Sequence, residues 1–199
     1  MDIRKILNPK CSSYALFLYF LKLRYGFDSW HWRNNYYCRK YKKLVVEELN
    51  SLPIEKIAVD LGGGLGEIVG RLKTKENILI DLDEKVLIAS QNLPFLRITK
   101  RIKGSWRELR EQTPQDVDLL ITVNWIHGIS PEELIRNFKE TLKVKSIKFL
   151  LVDSLLKPWQ GAYKHDFQFL EKTGYRLLKR FNDGGENLRE FLIFEKISY

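Results

Sequence analysis

Apolar residues in the first quarter of the chain recur at helical spacing, and after Pro53 they gather into short continuous runs. Tyr37, Tyr41, Leu44, Val45 and Leu49 predict one face of a helix over residues 35–50, with Pro53 past its end. Residues 14–21 (YALFLYFL) form an apolar run of eight, whereas crossing a bilayer takes about 20 residues. Lys22 and Arg24 follow this run where a leader would carry a small-residue cleavage site. It reads as a buried or interfacial helix.

Beyond Pro53 the runs alternate in type. Strands are predicted over 57–61 (IAVDL), 78–81 (ILID), 98–102, 118–124 (DLLITVN) and 147–153 (IKFLLVD). Helices are predicted over 68–72, 84–92, 131–142 and 163–173, the third opened by Ser130, Pro131 and Glu133. Residues 175–181 and 190–196 flank the turn-forming run NDGG at 182–185, the pattern of a hairpin. Apolar strands alternating with helices predict an α/β fold, with a mostly parallel sheet covered on both faces. The division expected is a helical cap over residues 1–53 and a ligand-binding α/β domain over 54–199. Ligands of such sheets sit at the carboxyl ends of the strands.

Composition sharpens this in two ways. The formal net charge is +9, and residues 1–56 hold 11 Lys/Arg against 5 Asp/Glu. A basic excess suits an anionic partner such as nucleic acid, a phosphorylated metabolite or an acidic membrane surface, or simply a solvated face. The two cysteines, Cys11 and Cys38, form no CxxC pair and have no histidine cluster beside them. No metal site is therefore expected; reduced thiols in a cytoplasmic protein are.

The segment with the most chemistry is Asp60-Leu61-Gly62-Gly63-Gly64-Leu65-Gly66-Glu67. A chain turning sharply from strand to helix needs residues free to adopt positive φ, and a ligand can approach backbone that lacks a Cβ. A dinucleotide fingerprint, G-x-G-x-x-G, would place its third glycine at position 67, which is Glu67. A carboxylate opening the next helix would also repel a pyrophosphate there. About 20 residues on, Asp81 closes the second strand, where a carboxylate can accept two hydrogen bonds from a ribose diol. Asp83 reads as the cap of the following helix.

The spacing D-x-G-x-G-x-G from Asp60 resembles motif I of class I S-adenosylmethionine-dependent methyltransferases, and Asp81-Leu82-Asp83 is similar to their second motif. The resemblance covers roughly residues 54–199. It implies a Rossmann-like fold of seven strands, with a C-terminal antiparallel hairpin and an N-terminal helical cap. S-adenosyl-L-methionine is the cofactor it implies, held by Asp60, Gly62, Gly63, Gly64, Gly66, Asp81, Leu82, Ser105 and Asn124. Many members carry an acid after the third strand for the adenine; this chain has Gly104-Ser105-Trp106 instead.

The run Asn124-Trp125-Ile126-His127 is similar to the family's loop after strand four, near the transferred methyl group. His127 is the candidate general base, since its ordinary pKa lies near neutrality, and Asn124 its companion. The run lacks the N-P-P-Y signature of amino methylation. Trp30, His31, Trp125 and Asp153 are candidate contacts for the acceptor. The expectation is O-methylation of a small metabolite or sugar. Two alternatives stay open: a nucleic-acid methyltransferase, using basic residues such as Arg97, Lys100, Arg101, Lys103, Arg107 and Arg110, and a non-catalytic nucleoside-binding member of the fold.

Overall fold

The computed structural model describes residues 9–182 and 189–197. Three helices come first: α1 (Pro9–Tyr25), α2 (Ser29–Arg33) and α3 (Lys40–Asn50). The strands are β1 (Ile57–Leu61), β2 (Glu76–Asp81), β3 (Lys100–Lys103), β4 (Asp116–Thr122), β5 (Ser146–Leu155), β6 (Tyr175–Asn182) and β7 (Arg189–Lys196). Between them lie α4 (Glu84–Ser90), α5 (Trp106–Gln112), α6 (Pro131–Val144) and α7 (Gln168–Glu171).

All seven strands form one sheet in the order β3-β2-β1-β4-β5-β7-β6. Strands β1 to β5 pair in parallel, while β7 runs antiparallel to both β5 and β6. Alternation of side chains along the central strands feeds two layers. Val59, Ile78, Leu120 and Leu150 meet α5, α6 and α7 through Leu109, Phe138 and Leu170. Ala58, Leu79, Leu119 and Phe149 meet α3 through Tyr41, Val45 and Leu49. The inner face of α1 packs on α4, Leu18 and Leu21 joining Val86 and Ala89.

Two predicted helices are corrected. Over residues 68–72 there is only a 3-10 turn, Val69–Arg71. Gly66 has φ of 73°, and a Cβ at Gly70 would lie 2.7 Å from the Leu96 Cβ, so the chain is wrapped too tightly there for a regular helix. Over 163–173 the helix shrinks to α7. The preceding stretch is pinned out straight: Tyr163 N–H donates to the His127 carbonyl, and Ser154 Oγ to that of His165. The turn expected over 182–185 lies, apart from Asn182, outside the described residues.

The expected reduced thiols are also corrected. Cys11 of α1 and Cys38 before α3 form a disulfide, their Cα atoms 5.2 Å apart. Tyr14 meets Tyr37 edge-on at 5.2 Å, and this packing of α1 on the segment before α3 brings together cysteines that are 27 residues apart in sequence. Among the described residues, no helix is long and apolar enough to cross a membrane.

Candidate active site

Where β1, β2 and β4 end, the chain leaves the sheet in three short turns, and a cavity of about 330 Å³ opens between them. Its floor is Asp60 to Gly64, its sides Asp81 and Leu82 after β2, Gly104 and Ser105 after β3, and Val123 to Trp125 after β4. Trp30, His31 and Lys42 from the N-terminal helices close one side, with Trp159 and Arg189 on another.

The glycine turn is held from two directions. Gly62 and Gly64 have φ of 73° and 58°. Gly64 N–H donates to Asp81 Oδ2 (2.8 Å), and Asp83 N–H donates to Asp81 Oδ1 (2.9 Å), so one carboxylate ties the turn to the end of β2. A Cβ at Gly62 would collide with the Trp125 ring, and one at Gly64 would sit 2.7 Å from His31 Cε1. The indole N–H of Trp125 donates to the Leu61 carbonyl.

Asp60 is fully buried, and its Oδ1 has no partner among the described residues. Burial, with Asp81 nearby, pushes its pKa up to about 7. His31 is held below its ordinary value by burial and by the Lys42 ammonium. A neutral imidazole at pH 7 can accept a proton.

Glu67 does not open a helix, so it stands at no helix end where it would repel a pyrophosphate. Its carboxylate is buried, paired with Lys42 Nζ (2.5 Å), and accepts from Tyr36 N–H (2.9 Å). Burial alone would lower the Lys42 pKa, but Glu67 and Tyr41 outweigh it, and the pKa stands raised.

Asn124 is the sole non-glycine with positive φ (76°) among the described residues. Asp153 holds it there by accepting from Asn124 N–H (3.0 Å). Asp153 also meets His127 Nε2 (3.1 Å) and Arg189 Nε (3.3 Å), and Arg189 Nη1 donates to Asn124 Oδ1. Asp153 and His127 are both fully buried and neither lines the cavity. His127 packs against Trp159 and His165, beneath the cavity wall.

The structure thus brings together around one cavity Asp60, Gly62, Gly63, Gly64, Asp81, Leu82, Ser105, Asn124, Trp125, Trp30 and His31. Gly66, His127 and Asp153 lie outside it. Gly66 instead gives room to Ile98, whose Cδ1 would be 2.5 Å from an added Cβ. Trp106 lies in the core, edge-on to Phe138 at 5.0 Å, and not on the cavity. The sequence reading missed Lys42, Trp159 and Arg189. Lys42 alone carried a signal: it sits among the apolar residues of a predicted helix, beside Tyr41 and one turn from Val45 and Val46.

No protein-family model matches the sequence, and no curated protein does. Solved structures do. The chain is similar to a magnesium protoporphyrin IX methyltransferase from Synechocystis PCC 6803 with bound SAM, at TM-score 0.66 and 14% identity over 99% of this chain and 98% of that one. It is similar to the N-methyltransferase NodS from Bradyrhizobium japonicum WM9, at TM-score 0.65 and 11% identity over 83% and 99% of the two chains. It also resembles the small RNA methyltransferase HEN1, at TM-score 0.58 and 14% identity over 80% of this chain and 25% of that one. With the strand order and the reversed β7, these likenesses show that the chain has the Rossmann-like fold of the class I S-adenosylmethionine-dependent methyltransferases.

Proposed function

We propose that the chain is an S-adenosylmethionine-dependent methyltransferase that methylates a hydroxyl group of a small acceptor, a metabolite or sugar. The observation that carries the cofactor is Asp60. A buried carboxylate with an unpartnered oxygen on a cavity floor suits a ligand bearing positive charge, which S-adenosylmethionine has in its sulfonium and ammonium groups. The glycines beside it leave bare backbone where the amino-acid part would lie. Asp81, at the end of β2, faces the same cavity and suits the ribose hydroxyls. Leu82 and Ser105 stand where the adenine would reach.

When bound, S-adenosylmethionine supplies a methyl group already activated by its sulfonium. The protein's part is alignment, exclusion of water and acceptance of a proton. Trp30 and Trp159 offer apolar walls for the acceptor. Asn124, fixed by Asp153 and Arg189, orients it. His31 is the base on the cavity: its Nδ1 lies nearer the Gly64 turn, leaving Nε2 to take the hydroxyl proton.

Two observations support a small acceptor over nucleic acid. The cavity has the volume of a small-molecule site. Each of the basic side chains from Arg97 to Arg110 has a partner within the chain, including Arg101 with Ser90, Lys103 with Glu84, Arg107 with Glu108 and Arg110 with Glu140. The test is transfer of a labelled methyl group to a panel of hydroxylated metabolites, sugars and tRNA, alongside calorimetry with S-adenosylhomocysteine and NAD. Labelling of a small hydroxyl compound, lost in His31→Ala with cofactor affinity kept, is expected. Tight NAD binding without S-adenosylhomocysteine binding would overturn the cofactor reading. Labelling of tRNA alone, with steeply salt-dependent binding, would overturn the acceptor reading.

A further inference from the structure

Helix α1 is apolar on both sides. Leu18 and Leu21 on its inner side are buried against α4, in company with Tyr14. On its outer side Leu16, Phe20 and Leu23 are 56%, 59% and 59% exposed, with Phe17 and Tyr19 partly exposed at its flanks. Residues 16, 20 and 23 recur at i, i+4 and i+7, so they line one ridge turned away from the protein. A helix apolar all round is ordinarily covered all round.

We infer that this outer ridge of α1 docks on the surface of an anionic lipid membrane. Charge selects the occupant. α1 carries Lys10, Lys22 and Arg24 and not one acidic residue, and it lies in the stretch of residues 1–56 where most of the basic excess resides. The ridge offers Phe and Leu to the acyl boundary, and Arg24 beside it, with Lys22 at the same end of the helix, offers positive charge to anionic headgroups. A second copy of the chain fits less well. Pairing α1 with its own twin would bring together two helices that carry only basic charges, Lys10, Lys22 and Arg24 on each, with no carboxylate on either helix to offset them. At 17 residues α1 is too short for the usual span of about 20. The contact is therefore one of lying on the surface.

Flotation of the intact protein with lipid vesicles tests this. Vesicles of phosphatidylcholine alone are compared with vesicles containing about a third phosphatidylglycerol, at low and high salt. Binding is expected on the anionic vesicles, falling as salt screens the basic border. Phe20→Ser combined with Leu23→Ser should lower the partition coefficient by at least about tenfold, since each removes well over a methylene's worth of buried apolar surface. Because both side chains point outward, the melting temperature should hold. Lys22→Glu combined with Arg24→Glu, which leaves the ridge intact, should also weaken anionic binding. Absence of binding to anionic vesicles, equal binding to neutral ones, or unchanged binding by the Ser variants would overturn the inference. So would a lipid-free dimer, seen by sedimentation, that the Ser variants dissociate.

Discussion

Asp60 lies on the central strand β1, with the sheet on both sides and the glycine turn folding back over it, so its carboxyl meets almost no water. The consequence for stability has a definite sign. The unfolded carboxyl ionises at 3.8 and the folded one at about 7. Between these values the folded state keeps a proton the unfolded state has lost, so stability falls as pH rises through that window. Asp60→Asn should flatten this part of the profile, which denaturant titration at several pH values measures. Ligand binding runs the other way. A cationic cofactor prefers the ionised carboxylate, so its affinity should strengthen about tenfold from pH 6 to pH 8, and Asp60→Asn should abolish the trend. Calorimetry giving the same dissociation constant at both pH values would remove Asp60 from the cofactor site. At this scale the sequence was readable where a residue's place at the cavity depends on its chain neighbours, as for Asp60, Gly64 and Asp81. It was unreadable for Arg189, whose partners Asn124 and Asp153 lie 65 and 36 positions away. His127 illustrates the same limit, since a histidine one turn past a strand reads alike whether it faces a cavity or lies beneath its wall.

Among the elements, α3 is the one whose place decides the most. Its face of Tyr41, Val45, Val46 and Leu49 covers the sheet, and Lys42 on the same face pairs with Glu67 in the glycine turn. The helix is thereby bolted to the glycine turn by a buried charge pair. Lys42→Met should cost about 3–5 kcal/mol, because it strands the Glu67 carboxylate in the interior. Adding Glu67→Leu to it should recover much of that loss. Urea denaturation checks both, and a Lys42→Met variant as stable as the parent would show that water reaches Glu67. Central strands were legible because both their faces are buried and they read as unbroken apolar runs. The segment after the glycines was not, since its apolar residues follow helical spacing while the glycines at 66 and 70 admit side chains from residues 96 and 98. The stretch at 163–173 failed for the reverse reason: hydrogen bonds to the carbonyls of Ile126 and His127 hold it straight against its own propensity.

For the molecule as a whole, the disulfide joins α1 to the segment ahead of α3 across 27 positions. Closing a loop of that size restricts the unfolded chain by about 3–4 kcal/mol. Reductant should therefore lower the melting temperature, by about 2–4 °C for each kcal/mol in a protein of this size. Scanning calorimetry with and without reductant, or a Cys11→Ser with Cys38→Ser variant, measures it. An unchanged melting temperature, with two titratable thiols present before any reductant is added, would show that the bond does not form. Alternating strands and helices revealed the class of architecture at once. The lateral order of the strands lay beyond the sequence, because pattern says which residues are buried and nothing about which strand is whose neighbour.

That lateral order governs the timetable of assembly. β6 leaves the ribosome before β7, yet β7 stands between β6 and β5. Until β7 is made β6 has no neighbour in the sheet, and pairing of β7 with β5 is what sets Arg189, at the leading end of β7, opposite Leu155. Half-made chains thus carry the glycine turn and both acidic residues but lack the residue that braces Asn124. A nascent protein stalled before residue 189 should bind cofactor poorly and expose the flank of β5, an adhesive edge until the last strand covers it.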